Sequence, residues 1–232
     1  MKMRHAIATW ACILAVACGG EAPADDAPEA AAPEAVAPVE GTDAIATTFA
    51  VRLDSERSRM EEFELTQEED AVHIVTGPAG IAWDSALRID RGDFHMEATF
   101  RQFGAPVGYR EAYGIFVGGR DLEAEDQEYT YLLVRPTGDF LIKRRIGEIT
   151  ETIVDWTPHA AVAGVQAEGD IPENVLAVDV ILGEARFMVN GQIVHAMPAP
   201  EARPWGISGL RVNHRLDVRV TGHRLHATID ES

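Results

Sequence analysis

The sequence predicts an all-β domain built as an antiparallel sandwich or barrel. Apolar and polar residues alternate with a period of two in many short stretches, whereas helical periodicity is scarce. Turn-forming residues separate these stretches, for example Gly77-Pro78, Gly118-Gly119 and Asn190-Gly191. Short strands joined by such turns are typical of two-sheet and barrel architectures.

Ten stretches are predicted as strands. They cover residues 71–77, 93–103, 113–119, 129–136, 139–146, 174–182, 185–191, 192–197, 206–212 and 216–228. Between two of them, Asn190-Gly191 predicts a two-residue hairpin, because both central residues of that turn need positive φ. Asparagine tolerates this conformation and glycine adopts it freely. We interpret the hairpin as scaffold rather than as a binding site.

Residues 1–17 have the layout of a bacterial export signal. Lys2 and Arg4 precede an uncharged, mostly apolar run that is shorter than the ~20 residues of a membrane-spanning helix. The run ends in Leu-Ala-Val-Ala-Cys, which resembles a lipoprotein lipobox with Cys18 as the lipidated residue. The resemblance implies a lipid-anchored protein of the bacterial cell envelope, facing the periplasm or the surface. Gly19 favours the outer membrane, and ordinary signal cleavage near Ala17 is the alternative.

Residues 18–45 predict an acidic spacer, and residues 46–232 a single domain. The spacer is rich in Ala, Pro and Glu and lacks aromatic residues, and its carboxylates should repel one another and extend the chain. Of the net charge of −18, residues 1–17 contribute +2 and residues 19–45 contribute −7, which leaves −13 for residues 46–232. Nucleic acid is therefore not expected as a partner. The domain has no cysteine, so its core must stabilise it.

The order of five segments resembles a known family. These segments are EAYGIFVGGRDL, YTYLLVRPTGDFLIKRR, IVDWTPHAAV, ENVLAVDVILGEARFMVNGQIVHAM and WGISGLRVNHRLDVRV. Together they resemble the concanavalin A-like jelly-roll domains of bacterial envelope lipoproteins, including the 3-keto-disaccharide hydrolase-like domain family. The resemblance covers nearly all of residues 46–232 and implies an antiparallel two-sheet jelly-roll sandwich. Such sandwiches include sugar binders and glycosidases, so the fold does not decide the function.

An acidic loop at residues 118–129 offers two kinds of chemistry. Glu123, Glu125 and Glu128 approach the Glu-x-Asp-x-(x)-Glu motif of laminarinase-like glycosidases, and they would be the catalytic residues of an enzyme. The central Asp of that motif is missing here, so a solvated polar loop is the favoured interpretation. Asp121 and Asp126 are candidate calcium ligands, although the spacing of regular calcium loops is absent.

Aromatic residues near predicted turns are candidates for sugar contacts. Trp156 and Trp205 lie beside predicted strands, and Tyr109, Tyr113, Tyr131 and Arg135 are expected to line a groove. An indole ring can stack on the apolar face of a sugar ring. The alternative is that the tryptophans fill the ends of the sandwich, since each buries a large apolar area and needs one polar contact.

Basic and histidine clusters complete the candidate sites. Lys143, Arg144 and Arg145 could hold a uronate or a phosphate, but we expect them to form salt bridges with the acidic loop. Strand alternation places Lys143 and Arg145 on one face and Arg144 on the other. His223 and His226, with His214 nearby, are a weak zinc candidate, because their odd spacing sends them to opposite faces unless a bulge intervenes. We expect them on an exposed strand.

These observations favour an exported lipoprotein with a non-catalytic binding module for carbohydrate or another envelope component. The first alternative is a glycan-processing hydrolase or lyase, and the second is a structural or protein-interaction domain. Apart from the calcium candidate, no cofactor is expected. The ligand, the oligomeric state and the membrane leaflet stay open at this stage.

Overall fold

The computed structural model describes residues 42–45 and 48–227. The predicted signal, Cys18 and most of the predicted spacer lie outside these residues. Within the described ranges the chain forms two antiparallel sheets and one short helix, and no helix there is long and apolar enough to cross a membrane.

The described residues form fifteen strands. In chain order they are β1 (Thr42–Ile45), β2 (Ala50–Leu53), β3 (Phe63–Gln67), β4 (Ala71–Thr76), β5 (Gly80–Ile89), β6 (Phe94–Gln102), β7 (Tyr113–Arg120), β8 (Glu128–Arg135), β9 (Asp139–Ile146), β10 (Ile149–Pro158), β11 (Glu173–Ile181), β12 (Glu184–Val189), β13 (Gln192–Pro198), β14 (Gly206–Val212) and β15 (Leu216–Ala227). A 3-10 turn (Met60–Glu62) precedes β3, and helix α1 (Ala199–Ala202) precedes β14.

The two sheets contain strands from all parts of the chain. The eight-stranded sheet has the order β13-β12-β11-β6-β15-β4-β3, with β1 paired to the C-terminal part of β15. The seven-stranded sheet has the order β10-β9-β8-β7-β14-β5-β2. The antiparallel two-sheet sandwich that the sequence predicts is thus confirmed. β1 falls at the end of the segment that the sequence assigns to the spacer.

The main core lies between the sheets and follows strict alternation. On β6 the inward residues Met96, Ala98 and Phe100 are buried while their neighbours are half-exposed. Ile115 and Leu132 meet them from the seven-stranded sheet. β7 and β8 are buried on both faces, so they appear in the sequence as nearly continuous apolar runs. The seven-stranded sheet therefore carries apolar side chains on its outer face as well.

All ten predicted strands are present, but five further strands were missed, namely β1 in the assigned spacer and β2, β3, β5 and β10. β5 begins with Gly80 and continues through residues buried on both faces, so it shows no alternation. β10 is a polar, mostly exposed edge strand, and β2 and β3 are short. The position predicted for Trp156, after a strand and beside a turn, is wrong, since this residue lies inside β10.

The hairpin at Asn190-Gly191 has the geometry that its sequence predicts. Both residues have positive φ, 49° at Asn190 and 76° at Gly191. The Asn190 side-chain amide donates to the Ala161 carbonyl at 2.8 Å and to Asn174 Oδ1 at 3.0 Å, and its oxygen accepts from the Val175 N–H at 2.8 Å. These bonds fasten the hairpin to a neighbouring loop and to β11, so its role is structural.

Replacing Asn190 by glycine tests this role. Glycine keeps the positive φ, so the variant removes only the three side-chain hydrogen bonds, and we expect the free energy of unfolding to fall by about 1–2 kcal/mol. Leu182→Gly is the control, because Leu182 also has positive φ (51°) but is 93% exposed. Urea denaturation should show no loss for the control, and a similar loss in both variants would contradict the structural role.

Candidate functional site

The outer face of the seven-stranded sheet, the face turned away from the eight-stranded sheet, holds a second apolar cluster. Its members are Ile81, Trp83, Ala112, Phe116, Leu122, Tyr129, Tyr131, Leu133 and Leu141, and Trp156 and Ile207 pack against it. Strand register explains this gathering, since Phe116 lies opposite Tyr131 and Leu133 lies opposite Leu141. This face is thus rich in aromatic side chains.

Arg135 and Trp156 come together on this face. The guanidinium carbon of Arg135 lies 4.1 Å from the centroid of the Trp156 ring, which is cation–π geometry. The Asp139 carboxylate accepts a hydrogen bond from Arg135 Nε at 3.0 Å and fixes the guanidinium. Both side chains are half-buried, so the arginine orients the indole ring while part of the pair stays open to solvent.

Tyr131 belongs to the same face but is nearly closed to solvent. It is 7% exposed, and burial raises the pKa of its hydroxyl to about 12. The Arg211 guanidinium carbon lies 5.7 Å from the centroid of its ring. Tyr131 therefore underlies the surface, whereas Trp156 keeps part of its side chain open to solvent.

Tyr113 and Trp205 lie elsewhere. Tyr113 is 1% exposed, stacks on Phe100 in the inner core at 5.1 Å, and accepts a hydrogen bond from the Asn174 side-chain amide at 2.9 Å. Trp205 packs against the inner core and donates its ring N–H to the Gly92 carbonyl at 3.0 Å. Trp205 thus has the single polar contact expected of a tryptophan that fills the sandwich. Neither side chain joins the outer cluster.

A buried ion pair lies within the outer face. Arg211, 7% exposed, forms a two-pronged contact with the carboxylate of Asp54, which follows β2. Burial alone would raise the pKa of Asp54, but the charge and hydrogen bonds of Arg211 hold it below its ordinary value. The carboxylate is therefore fully ionised at neutral pH and fixes Arg211 in place.

The basic cluster divides between the two faces as alternation predicts. Lys143 and Arg145 lie opposite Tyr131 and Tyr129 on the outer face, whereas Arg144 contacts Glu151 at 3.2 Å from the other side. The prediction that this basic cluster forms salt bridges with the acidic loop is wrong. Lys143 has no ion-pair partner among the described residues, and Arg145 donates to the backbone carbonyl of Gly147. The loop carboxylate of Glu128 pairs instead with Arg203 and Arg120.

Three arginines hold the acidic loop and its carboxylate Glu128. Arg52 on β2 donates to the carbonyl oxygens of Leu122, at 2.8 Å, and Ala124. Arg203 binds Glu128 at 2.7 Å, and Arg120 lies 3.6 Å from the same carboxylate. Glu128 is therefore engaged in ion pairs at the start of β8.

The remaining loop carboxylates do not converge. Glu123 lines a cavity of about 480 Å³ beside β2, together with Trp83, whereas Glu125 is exposed on the loop surface. Asp121 has a φ of 49° and, like Asp126, is exposed. In the part of the chain that the structure describes, no three His, Cys, Asp or Glu side chains gather as a group that could hold a metal ion.

His223 differs from its predicted environment. It is 5% exposed, its ring stacks on Phe49 at 5.9 Å, and neither ring nitrogen has a hydrogen-bond partner. Burial lowers its pKa to about 4. The expectation that it lies on an exposed strand is wrong, because a bulge in β15 between Thr221 and Arg224 shifts the register at this point.

Sequence reasoning missed several residues of the outer face. Arg52 and Asp54 lie on or after a short strand, and Trp83 lies on β5, which lacks alternation. A signal was nevertheless present at Trp83, because a tryptophan in a stretch buried on both faces must contact a second apolar layer. The pairing of Asp54 with Arg211 spans 157 positions and carries no local signal.

Comparison with known proteins identifies the fold. No family model and no curated protein matches the sequence. Among solved structures, the carbohydrate-binding module CBM66 from Bacillus subtilis is 8% identical, covering 76% of this chain and 95% of that chain with a TM-score of 0.51. The potassium-bound Emp46p carbohydrate recognition domain is 11% identical, covering 78% of this chain and 89% of its own, with a TM-score of 0.52.

The fold is an antiparallel two-sheet jelly-roll sandwich, similar to those of these carbohydrate-binding and recognition domains. A third structure agrees with this result. The Emp47p carbohydrate recognition domain is 11% identical over 80% of this chain and 90% of its own, with a TM-score of 0.50. The sandwich part of the sequence resemblance is thereby confirmed. At these identities the likeness concerns the fold alone.

Proposed function

We propose that this protein is an exported lipoprotein whose sandwich is a non-catalytic carbohydrate-binding module. The sandwiches that it resembles include domains named for carbohydrate binding or recognition. The observation that carries the proposal is the Arg135–Trp156 pair on the outer face of the seven-stranded sheet. Arg135 covers one side of this half-buried indole, and the part of the ring that stays open to solvent gives a sugar an apolar contact surface beside hydrogen-bond donors.

Several finer statements belong to this proposal. Lipidation at Cys18, placement at the outer membrane, and membership of the 3-keto-disaccharide hydrolase-like domain family stay predictions. Calcium at Asp121 and Asp126 also stays a prediction. One of the similar sandwiches is described as potassium-bound, which supports including a metal in the binding experiment. Catalysis by Glu123, Glu125 and Glu128 is the alternative, and it needs a freely accessible pair of carboxylates.

Glycan binding should depend on Trp156. On a glycan array, the mature chain should bind saturably to at least one class of glycan, and Trp156→Ala should weaken that binding at least tenfold through loss of the stacking surface. Trp205→Phe is the control, because Trp205 contacts the inner core and its replacement should leave the affinity unchanged. Parallel arrays with calcium and with chelator test the metal prediction. Absence of binding to every glycan would refute the proposed function.

A further inference from the structure

The outer face of the seven-stranded sheet has a charge pattern unlike that of the whole domain. Residues 46–232 carry a net charge of −13. The described side chains of this face nevertheless include five cationic groups, those of Arg52, Arg135, Lys143, Arg145 and Arg211. Two of its carboxylates, on Asp54 and Asp139, are already bound to arginines. A third, on Glu123, lines the cavity beside β2 together with Trp83.

Two of these cations remain available to a ligand. Lys143 has no ion-pair partner among the described residues. Arg145 forms no ion pair there either: its guanidinium donates to the Gly147 carbonyl, and Asp54, whose pKa its charge helps to lower, is already bound to Arg211. Both side chains are half-buried, so a ligand can reach them while the neighbouring residues restrict their conformations. Lys143 is also the only lysine in residues 46–232.

The two cations form a stripe with Trp156. On β10, Thr152 lies opposite Lys143 and Thr150 lies opposite Arg145, and both threonines are exposed. Trp156 lies two residues beyond the pair that Val154 forms with Ile142. From the level of Leu141 beside Trp156 to Arg145, the stripe spans four residues of strand, about 13 Å. This β9–β10 stripe is long enough for an oligosaccharide and combines a stacking ring, hydroxyl groups and cations.

We infer that the glycan bound at the β9–β10 stripe is acidic and presents uronate carboxylates to Lys143 and Arg145. Carboxylates form charge-assisted hydrogen bonds with ammonium and guanidinium groups, and these are stronger than neutral hydrogen bonds. The inference rests on the proposed carbohydrate binding and names its substrate class. The remainder of the domain is strongly negative and repels a polyanion, so we expect an acidic glycan to approach at the stripe.

A matched pair of ligands isolates the charge. Oligogalacturonate and its fully methyl-esterified form share one sugar chain and differ in the charge of their carboxyl groups. In isothermal titration calorimetry with the mature chain, the free acid should bind at least tenfold more tightly. This difference should shrink as salt is raised, since exposed charges are screened.

A matched pair of variants isolates the site. Replacing both Lys143 and Arg145 by glutamine should weaken binding of the free acid about tenfold and leave binding of the methyl ester unchanged. The control replaces Arg101 and Arg186, which lie on β6 and β12 of the other sheet, by glutamine. Both double variants change the net charge equally. Only the first should lose affinity, which would support the inference.

The opposing outcomes separate the two levels of the proposal. Equal affinities for the free acid and the methyl ester, with binding still dependent on Trp156, would overturn the acidic ligand class and leave carbohydrate binding in place. Equal losses in both double variants would also overturn the inference, because the effect would then follow net charge. Absence of binding to these ligands and to every glycan of an array would overturn both proposals.

Discussion

Asp54→Ala is expected to lower the free energy of unfolding by about 3–4 kcal/mol, because it leaves the buried guanidinium of Arg211 without its partner. The two side chains form a two-pronged ion pair, and Arg211 is the more deeply buried partner. Denaturant titration of wild type and variant measures the effect. The loss should persist at high salt, since a buried pair is screened far less than a surface pair.

Asp90→Ala is the matched control for this result. Asp90 pairs with Arg88 at 2.9 Å, but both side chains are exposed, so the loss should stay below about 1 kcal/mol. The double variant Asp54→Leu with Arg211→Met should recover much of the stability, since apolar residues avoid burying an unpaired charge. Similar small losses in Asp54→Ala and Asp90→Ala would contradict the buried pair.

Acid should destabilise the protein through His223. The pKa of this residue is about 4 in the folded state, below its ordinary value of 6.5, because burial disfavours the imidazolium. The unfolded chain therefore binds a proton more readily between pH 6.5 and pH 4. Across this window the free energy of unfolding should fall by about 3 kcal/mol as the pH falls. Below pH 4 His223 is protonated in both states, so it causes no further loss of stability.

His223→Phe should remove this acid sensitivity. Phenylalanine keeps the stacking on Phe49 and takes away two ring nitrogens that have no hydrogen-bond partner. Urea denaturation of wild type and variant at several pH values from 6.5 to 5 gives the two slopes. The slope of the variant should be much shallower, with a smaller remainder from His195, whose pKa is also lowered by burial. His95 causes no loss of stability as the pH falls through this window. Its hydrogen bonds to Asp179 and Glu97 raise its pKa to about 9, so its contribution is lost only as the pH rises from 6.5 through 9. Equal slopes would contradict a neutral, buried His223.

The fold was predictable because most strands alternate between one buried and one exposed face. β6 and β12 show this pattern clearly, and the Asn190-Gly191 turn fixes the hairpin of β12 and β13. β5 escaped prediction because both of its faces are buried over its first half, and β10 because an exposed edge strand has little apolar pattern. The burial of both strands depends on their place in the sheet, which the local sequence pattern does not reveal.

The site was predictable only in part. The sequence predicts Arg135 and Trp156 as site residues, and strand alternation predicts that Lys143 and Arg144 lie on opposite faces of the sheet. Tyr113 was placed beside Tyr131, yet the register pairs Tyr113 with Val134, so the two tyrosines lie on opposite faces of the sheet. Pairing register depends on the loop between the strands, which alternation within one strand does not reveal.

The most direct test of the account is to observe which tryptophan a glycan touches. Residues 46–232 contain three tryptophans, Trp83, Trp156 and Trp205, so the indole N–H signals in an NMR spectrum give three separate reporters. On titration with oligogalacturonate, the Trp156 signal should shift with saturation while the Trp205 signal stays in place. A shift confined to Trp205, or unchanged signals at a ligand concentration that saturates binding, would contradict a glycan site on the outer face of the seven-stranded sheet.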